Sequence, residues 1–260
     1  MILEILSPEM ALILFIIALF AGVGISAIGP GGIFVTVSLF LLTPISSAEV
    51  AGTASLTFIF TGLLATALFY RSGEFSQGFA REIGIILSVT SIIGAYTGSQ
   101  ANLGISDMVF GYLLSLFAMV IGFVIIYREI IGLESSNYFQ FISKRRRRSV
   151  LGTLGFAIGF VGGLLGVGGP VVAVPIFVLL GIPMLVALAV AQVQSIFISG
   201  FATFGYFMSD GVSVPIAILV GVPQLIGVVI GWKIAHRVDQ NRLRILLGIV
   251  LIITGPIIAF

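Results

Sequence analysis

The sequence contains no cysteine and a single histidine, His236. The missing cysteine excludes disulfide bonds, thiolate nucleophiles, and zinc or iron–sulfur centres held by thiolates. With only one histidine, the commonest general base and metal ligand is almost absent as well. We therefore expect no enzyme, no catalytic residue, no metal and no cofactor.

Charged side chains are also scarce, at 8% of 260 residues, whereas 59% of the residues are hydrophobic. A soluble domain carries about 25% charged residues. The apolar runs are long enough to cross about 30 Å of hydrocarbon. The composition predicts an all-α integral membrane protein, and the start lacks the basic region that precedes a cleaved signal sequence.

The apolar segments form two sets of five, separated by a polar link that contains Lys144-Arg-Arg-Arg-Arg148. The first set lies at about 10–28, 31–43, 47–70, 82–101 and 107–127, and the second at about 150–166, 170–181, 184–208, 213–235 and 241–260. We predict a first membrane repeat at 1–128, a basic cytoplasmic linker at 129–149 and a second membrane repeat at 150–260.

The glycines show that the two sets are copies of one unit. Gly29, Gly31 and Gly32 align with Gly166, Gly168 and Gly169 at an offset of 137 residues. Gly73 aligns with Gly211 at an offset of 138, and Gly94 and Gly98 align with Gly227 and Gly231 at an offset of 133. Matches with so few gaps indicate an internal duplication.

Loop charges predict how the copies are oriented. The loop at Gly73 carries Arg71 and Arg81, whereas its equivalent, Ser209–Gly211, carries no basic residue and the loop after it is strongly basic. Because basic loops stay in the cytoplasm, these equivalent loops fall on opposite sides of the membrane. We predict inverted repeats with both termini outside. Four spans per half would instead place the second basic loop outside, against its charges.

The two dense glycine clusters, Gly29–Gly32 and Gly166–Gly169, each interrupt an apolar run just before a short apolar stretch. A helix that restarts after such a break has free N–H groups and a dipole that favours an anion. Inside a membrane, the break must be covered by protein or line a cavity. We predict a short broken or re-entrant helix in each repeat and one shared anion site. Close helix packing explains isolated glycines such as Gly94 and Gly98.

Polar side chains near the breaks extend the predicted site. Gln192 and Gln194 lie in an apolar segment where their counterparts are Ala54 and Leu56, and Thr53 and Ser55 lie beside those counterparts. Hydrogen bonding between helices and lining of the site are both open for the two glutamines. The predicted substrate-binding residues are Gly29, Gly31, Gly32, Thr53, Ser55, Gly166, Gly168, Gly169, Gln192 and Gln194. Gln224 and Asn102 are weaker candidates of the same kind.

The remaining polar positions have simpler interpretations. Ser46-x-x-Glu49 fits a capping box at a helix start. His236 lies among basic residues, which indicates a solvated interfacial side chain. The run Arg145–Arg148 is expected to anchor the topology, with an anionic-lipid contact as a second role.

The residues Gly162-Gly-Leu-Leu-Gly-Val-Gly-Gly-Pro-Val-Val-Ala-Val-Pro175 and Gly181-Ile-Pro183 resemble the sulfite exporter TauE/SafE family, also called TSUP. Ala51–Leu56 resembles the start of that family's following helix. The resemblance implies a duplicated secondary transporter of small organosulfur or sulfur oxyanions such as sulfite or sulfonates, usually working outward. This sequence departs from the family pattern at Ile33 and Pro170, where the family has a third glycine, and at Gln192-Val-Gln194.

An anion channel or facilitator for a different small anion is the alternative function, since the same breaks would serve it. The expected location is the cell membrane. The expected partners are the small anionic substrate and membrane lipids, with no nucleic acid, and a homo-oligomer stays open.

Overall fold

A computed structural model describes residues 6–75, 78–131, 144–238 and 241–259, which are helical and contain no strand. The helices of the first half are α1 (Pro8–Ala27), a 3₁₀ turn (Pro30–Gly32), α2 (Ile33–Leu42), α3 (Ser47–Arg71), α4 (Gly78–Leu103) and α5 (Asp107–Ile131). Those of the second half are α6 (Lys144–Leu165), α7 (Gly169–Leu179), α8 (Met184–Phe207), α9 (Val214–Ala235) and α10 (Asn241–Ala259).

Seven of the described helices are long and apolar enough to cross a membrane: α1, α3, α4, α5, α6, α8 and α9. The predicted all-α membrane class is therefore confirmed. Helices α2 and α7 have only 10 and 11 residues. At 1.5 Å per residue each is about 15 Å long, roughly half the thickness of the hydrocarbon core. Each short helix follows its glycine cluster, as the sequence predicts.

The predicted linker is shorter in the structure, because α5 continues to Ile131 and α6 begins at Lys144. Residues 132–143 lie outside the described part of the chain. The basic run therefore belongs to the first turns of a helix. Its charge is partly neutralised by Glu82 of α4, which accepts from Arg147 at 2.6 Å and from Arg148 at 3.3 Å. The predicted apolar segment begins only after the basic run, at about residue 150, so it leaves out the first turns of α6.

The two ends of the bundle differ in charge. One, which we call the acidic end, holds the start of α3, the start of α5 and the loop between α8 and α9. There the Ser47 N–H donates to Asp107 at 2.8 Å, and the Ser213 N–H donates to Thr53 at 2.9 Å. The described acidic residues of this end are Glu9, Glu49, Asp107 and Asp210.

The opposite end, which we call the basic end, joins the loop after α3 to the end of α9. Trp232 donates its indole N–H to Ser72 at 3.1 Å, and His236 contacts Glu74 at 2.8 Å. His236 is exposed, as the sequence predicts, and its ring also has a carboxylate partner. The described basic side chains belong to this end: Arg71, Arg81, Arg145, Arg146, Arg147, Arg148, Lys233 and Arg237.

Helix pairs are packed through glycine, as predicted for Gly94 and Gly98. A side chain at either position would overlap the backbone of α6, at Phe156 and at Phe160. These contacts run in the same order along both chains, so α4 and α6 are parallel. Helices α1 and α9 form a second parallel pair, in which Ser26 donates to the Val228 carbonyl at 2.7 Å. Each pair joins the first helix of one half to the fourth helix of the other.

Helices α3 and α8 pack against each other in opposite directions. Gly52, in the first turns of α3, contacts Tyr206 near the end of α8, whereas Gly62 contacts Ile196. Helix α3 therefore runs from the acidic end to the basic end, and α8 returns. The loop at Gly73 follows the end of α3, while Gly211 lies against its first turns. The two equivalent loops are at opposite ends of the bundle.

Candidate functional site

The first break is a tight turn that folds back on α1. Gly29 has φ +108°, a conformation that L-residues with side chains rarely adopt. Gly31 and Gly32 differ, because they lie in the 3₁₀ turn that leads into α2. A Cβ at Gly31 would overlap the carbonyl of Ala21 and come within 2.5 Å of the Ile25 nitrogen. Gly31 is required for packing against α1, whatever else it does.

The second break is formed by glycines whose φ angles are positive. Gly166 and Gly168 both have positive φ, at +59° and +77°. Gly169 and Pro170 are the first residues of α7. A Cβ at Gly169 would lie 3.0 Å from the Ser195 nitrogen, which places the start of α7 against the middle of α8. Helix α7 therefore begins inside the bundle.

The two breaks meet. Thr36 of α2 donates its hydroxyl to the Gly166 carbonyl, and a Cβ at Gly32 would lie 2.9 Å from the Val167 carbonyl oxygen. The ring of Phe58 covers both breaks. It would lie 3.2 Å from a Cβ added at Gly32 and 3.1 Å from a Cβ added at Gly168. Because Phe58 is near the middle of α3, the meeting point is near mid-depth in the bundle.

The short helices leave this point in opposite directions. Helix α2 leads to the start of α3 at the acidic end, and α7 leads to the start of α8 at the basic end. Neither the 3₁₀ turn before α2 nor α7 has a side-chain cap on its first N–H groups. Each helix start carries about half a positive charge. Two such starts at one buried place can stabilise a monoanion without an arginine.

Two buried amides lie on α8, the helix against which α7 begins. Gln192 donates to the Ile25 carbonyl in the last turn of α1 at 3.0 Å, while its own oxygen has no partner. Gln194 has neither amide atom paired, although it is fully buried. It precedes Ser195, whose backbone contacts Gly169, and so points from a neighbouring face of α8. An unpaired amide in an apolar interior costs about 1–3 kcal/mol, so a polar partner would stabilise it.

The other predicted site residues are placed differently. Thr53 accepts from the Ser213 N–H and so holds the loop between α8 and α9 at the acidic end. Ser55 is buried within α3. Ser46 accepts from the Glu49 N–H at 3.3 Å, which confirms the predicted helix cap. Among the described residues no three His, Asp or Glu side chains lie close enough together to hold a metal ion.

Two residues that cap α6 were missed or ranked low from sequence. Tyr206 donates its hydroxyl to the Gly163 carbonyl at 2.7 Å, and Asn102 donates to the Leu164 carbonyl at 2.7 Å. Together they satisfy carbonyls that a helix end leaves free. Phe58 was missed too. Tyr206 and Phe58 are aromatic residues in apolar helices, so their type and spacing give no sign of these contacts.

The fold and the site define a multi-pass helical membrane protein with two uncapped helix starts meeting in its interior. A model of the sulfite exporter TauE/SafE family matches residues 14–256, and the chain belongs to this family of membrane transporters. The chain is also similar to the probable membrane transporter protein YunE of Bacillus subtilis (strain 168). The two are 27% identical over 268 aligned residues, covering 94% of this chain and 95% of the relative. No solved structure matches the chain.

Proposed function

We propose that this protein is a secondary transporter that exports small sulfur oxyanions or sulfonates, such as sulfite, across the cell membrane. The observation that carries the proposal is the meeting of the two glycine breaks under Phe58, with an uncapped helix start at each break. Membership of the sulfite exporter family supports the substrate class.

The anion is held by partial charges. The uncapped starts of α2 and α7 balance its charge through their helix dipoles, and Gln194 supplies an amide donor to an oxygen of the substrate. None of the predicted site residues carries a full positive charge. A site of this kind releases an anion more readily than an arginine would, because it forms no strong charge-assisted pair with it.

The proposed orientation places the basic end and the link 128–149 in the cytoplasm and both termini outside. It follows from the positive-inside rule and from the position of the basic side chains at one end of the bundle. The inverted repeat is supported by the equivalent loops at Gly73 and Gly211, because the first follows the end of α3 and the second lies against its first turns.

Cysteine labelling tests this orientation, because the chain has no cysteine of its own. Ser72→Cys should react with an impermeant thiol reagent only from the cytoplasmic side, and Ser209→Cys only from outside. Labelling of both from one side would overturn the inverted arrangement.

The function itself is tested by flux in proteoliposomes. Sulfite, a simple sulfonate, chloride and phosphate are each offered with and without a proton gradient. We expect saturable flux of the sulfur anions, and we expect Gln194→Leu to reduce it while Gly200→Ala, at an unobstructed position, leaves it unchanged. Ion currents far above transporter turnover would favour the channel. Flux of chloride or phosphate alone would overturn the proposed substrate class.

A further inference from the structure

Helix α8 carries a polar stripe that neither break accounts for. Ser195, Ser199, Thr203 and Tyr206 follow one another at spacings of four, four and three residues, which places them on one face of the helix. All four are buried, with 1% of Ser199 and 9% of Thr203 exposed. The stripe therefore faces protein and not lipid.

The hydroxyls in the centre of this stripe have no partner. In a membrane helix, a serine or threonine ordinarily donates to the carbonyl one turn earlier. Thr90, Thr97 and Thr254 do so in this protein, at 2.8–2.9 Å. Ser199 and Thr203 make no hydrogen bond, although their hydroxyl oxygens are buried. Such groups are costly unless water or a polar ligand reaches them.

The stripe runs from the second glycine break to the acidic end of the bundle. Ser195 lies against Gly169 at the second break, and Tyr206 lies against Gly52 at the acidic end. Across from its outer part, Asn102 caps α6 with its NH₂ group while its oxygen stays unpaired. The unpaired hydroxyls of Ser199 and Thr203 thus lie between the second break and the acidic end.

We propose that this stripe lines the water-containing exit path by which the anion passes from the breaks to the acidic end. The inference rests on the proposed function and adds the route that the substrate follows. Hydroxyl and amide groups suit such a route, because they can hydrogen bond to an oxyanion or its water shell without the strong attraction of a full charge. Tyr206, fully buried, closes the outer end in this structure.

Cysteine substitution tests the route with little disturbance, because serine and cysteine have similar size. Ser199→Cys and Thr203→Cys are placed singly in the cysteine-free chain and exposed in intact cells to a charged, impermeant thiosulfonate. Gly200→Cys is the matched control, since a Cβ there meets nothing within 4 Å, and nearby Phe204 is 55% exposed on the outer surface of the bundle. A monodisperse elution profile and wild-type melting temperature show that each variant is folded.

We expect cysteines at 199 and 203 to be labelled from outside at least roughly tenfold faster than the cysteine at 200. The cysteine at 200 faces an apolar setting, which raises the pKa of its thiol, and each unit of pKa lowers the amount of reactive thiolate about tenfold. Flux of the sulfonate, which unlike sulfite does not cleave the mixed disulfide left by the reagent, should fall for the labelled stripe variants only. No labelling from either side, or labelling from the cytoplasm alone, would overturn the exit path even if wild-type flux persists. If the cysteines are labelled but the protein transports no sulfur anion, the exit path is supported and the proposed function is overturned.

Discussion

The two glycine breaks share one sequence pattern but are used differently. In the first, Gly31 is pressed against the backbone of α1, and the turn continues directly into α2. In the second, Gly166 and Gly168 have positive φ angles, and the start of α7 lies against α8 at Ser195. The duplication produced two similar helix starts. The first packs closely against α1, whereas the second lies against α8, the helix that carries most of the polar side chains.

This difference extends to the neighbouring helices. Gln192 and Gln194 of α8 correspond to Ala54 and Leu56 of α3, and Tyr206 corresponds to Leu68. Asn102 belongs to the first half, yet it caps the helix that precedes the second break. A symmetric scaffold therefore surrounds an asymmetric site, and most of its polar side chains come from α8.

The largest expected effect is that of Gly31→Ala, which should prevent stable folding. Its methyl group would overlap the α1 backbone, so the cost should exceed the usual overpacking range of about 1–3 kcal/mol. Gly168→Ala should cost about 1–3 kcal/mol, because φ 77° and ψ 163° form a backbone region almost reserved for glycine. Its methyl group adds less, since it meets only the ring of Phe58, a side chain that can shift. Melting temperatures in detergent measure both. Equal losses would contradict the difference between the breaks.

Gln194→Leu should change transport more than stability. Replacing an unpaired buried amide by an apolar side chain removes a cost of about 1–3 kcal/mol, so the melting temperature should stay equal or rise while flux falls. Gln192→Leu is the matched comparison, since it breaks the bond to the Ile25 carbonyl and should lower stability. A melting temperature that falls for Gln194→Leu with flux unchanged would return this residue to a packing role.

The smallest effect is expected for Thr36→Val, which removes the hydroxyl that joins α2 to Gly166. The loss of one hydrogen bond should cost about 0.5–1.5 kcal/mol. If the two breaks act as one site, anion affinity should fall as well, although Thr36 lies beyond the glycines. Binding measured by thermal shift against sulfite concentration checks this. Unchanged affinity with reduced stability would mean that the contact only holds the helices together.

The sequence predicted the helices and the breaks because apolar length and clustered glycine act locally. It predicted the contacts of Gly94 and Gly98 with another helix, because small residues at that spacing serve close packing. It did not separate Gly31 from Gly168, because a glycine needed for space and one needed for its φ angle are the same letter. Gly31 is required because α1 leaves no space for a side chain, and Gly168 is required because of its positive φ angle.

The cover of the site could not be predicted for a similar reason. Phe58 and Tyr206 are two of 28 phenylalanines and tyrosines, which are 22 and 6 in number, and nothing in their spacing sets them apart. Their roles depend on which helices meet at mid-depth, a property of the tertiary fold. The start of α6 was placed too late because its basic turns are stabilised by Glu82, a partner 65 residues away along the chain from Arg147.

The most direct test of the shared site is to locate the anion. Selenite has the shape and charge of sulfite, and its selenium scatters anomalously, so diffraction from crystals soaked in selenite marks the position of the bound anion. We predict one anomalous peak between Gly32 and Gly169, within hydrogen-bonding distance of the first N–H groups of α7 and of the Gln194 amide, and no peak there in Gln194→Leu crystals. A peak confined to the basic end, or none between the breaks in a protein that transports sulfite, would contradict it.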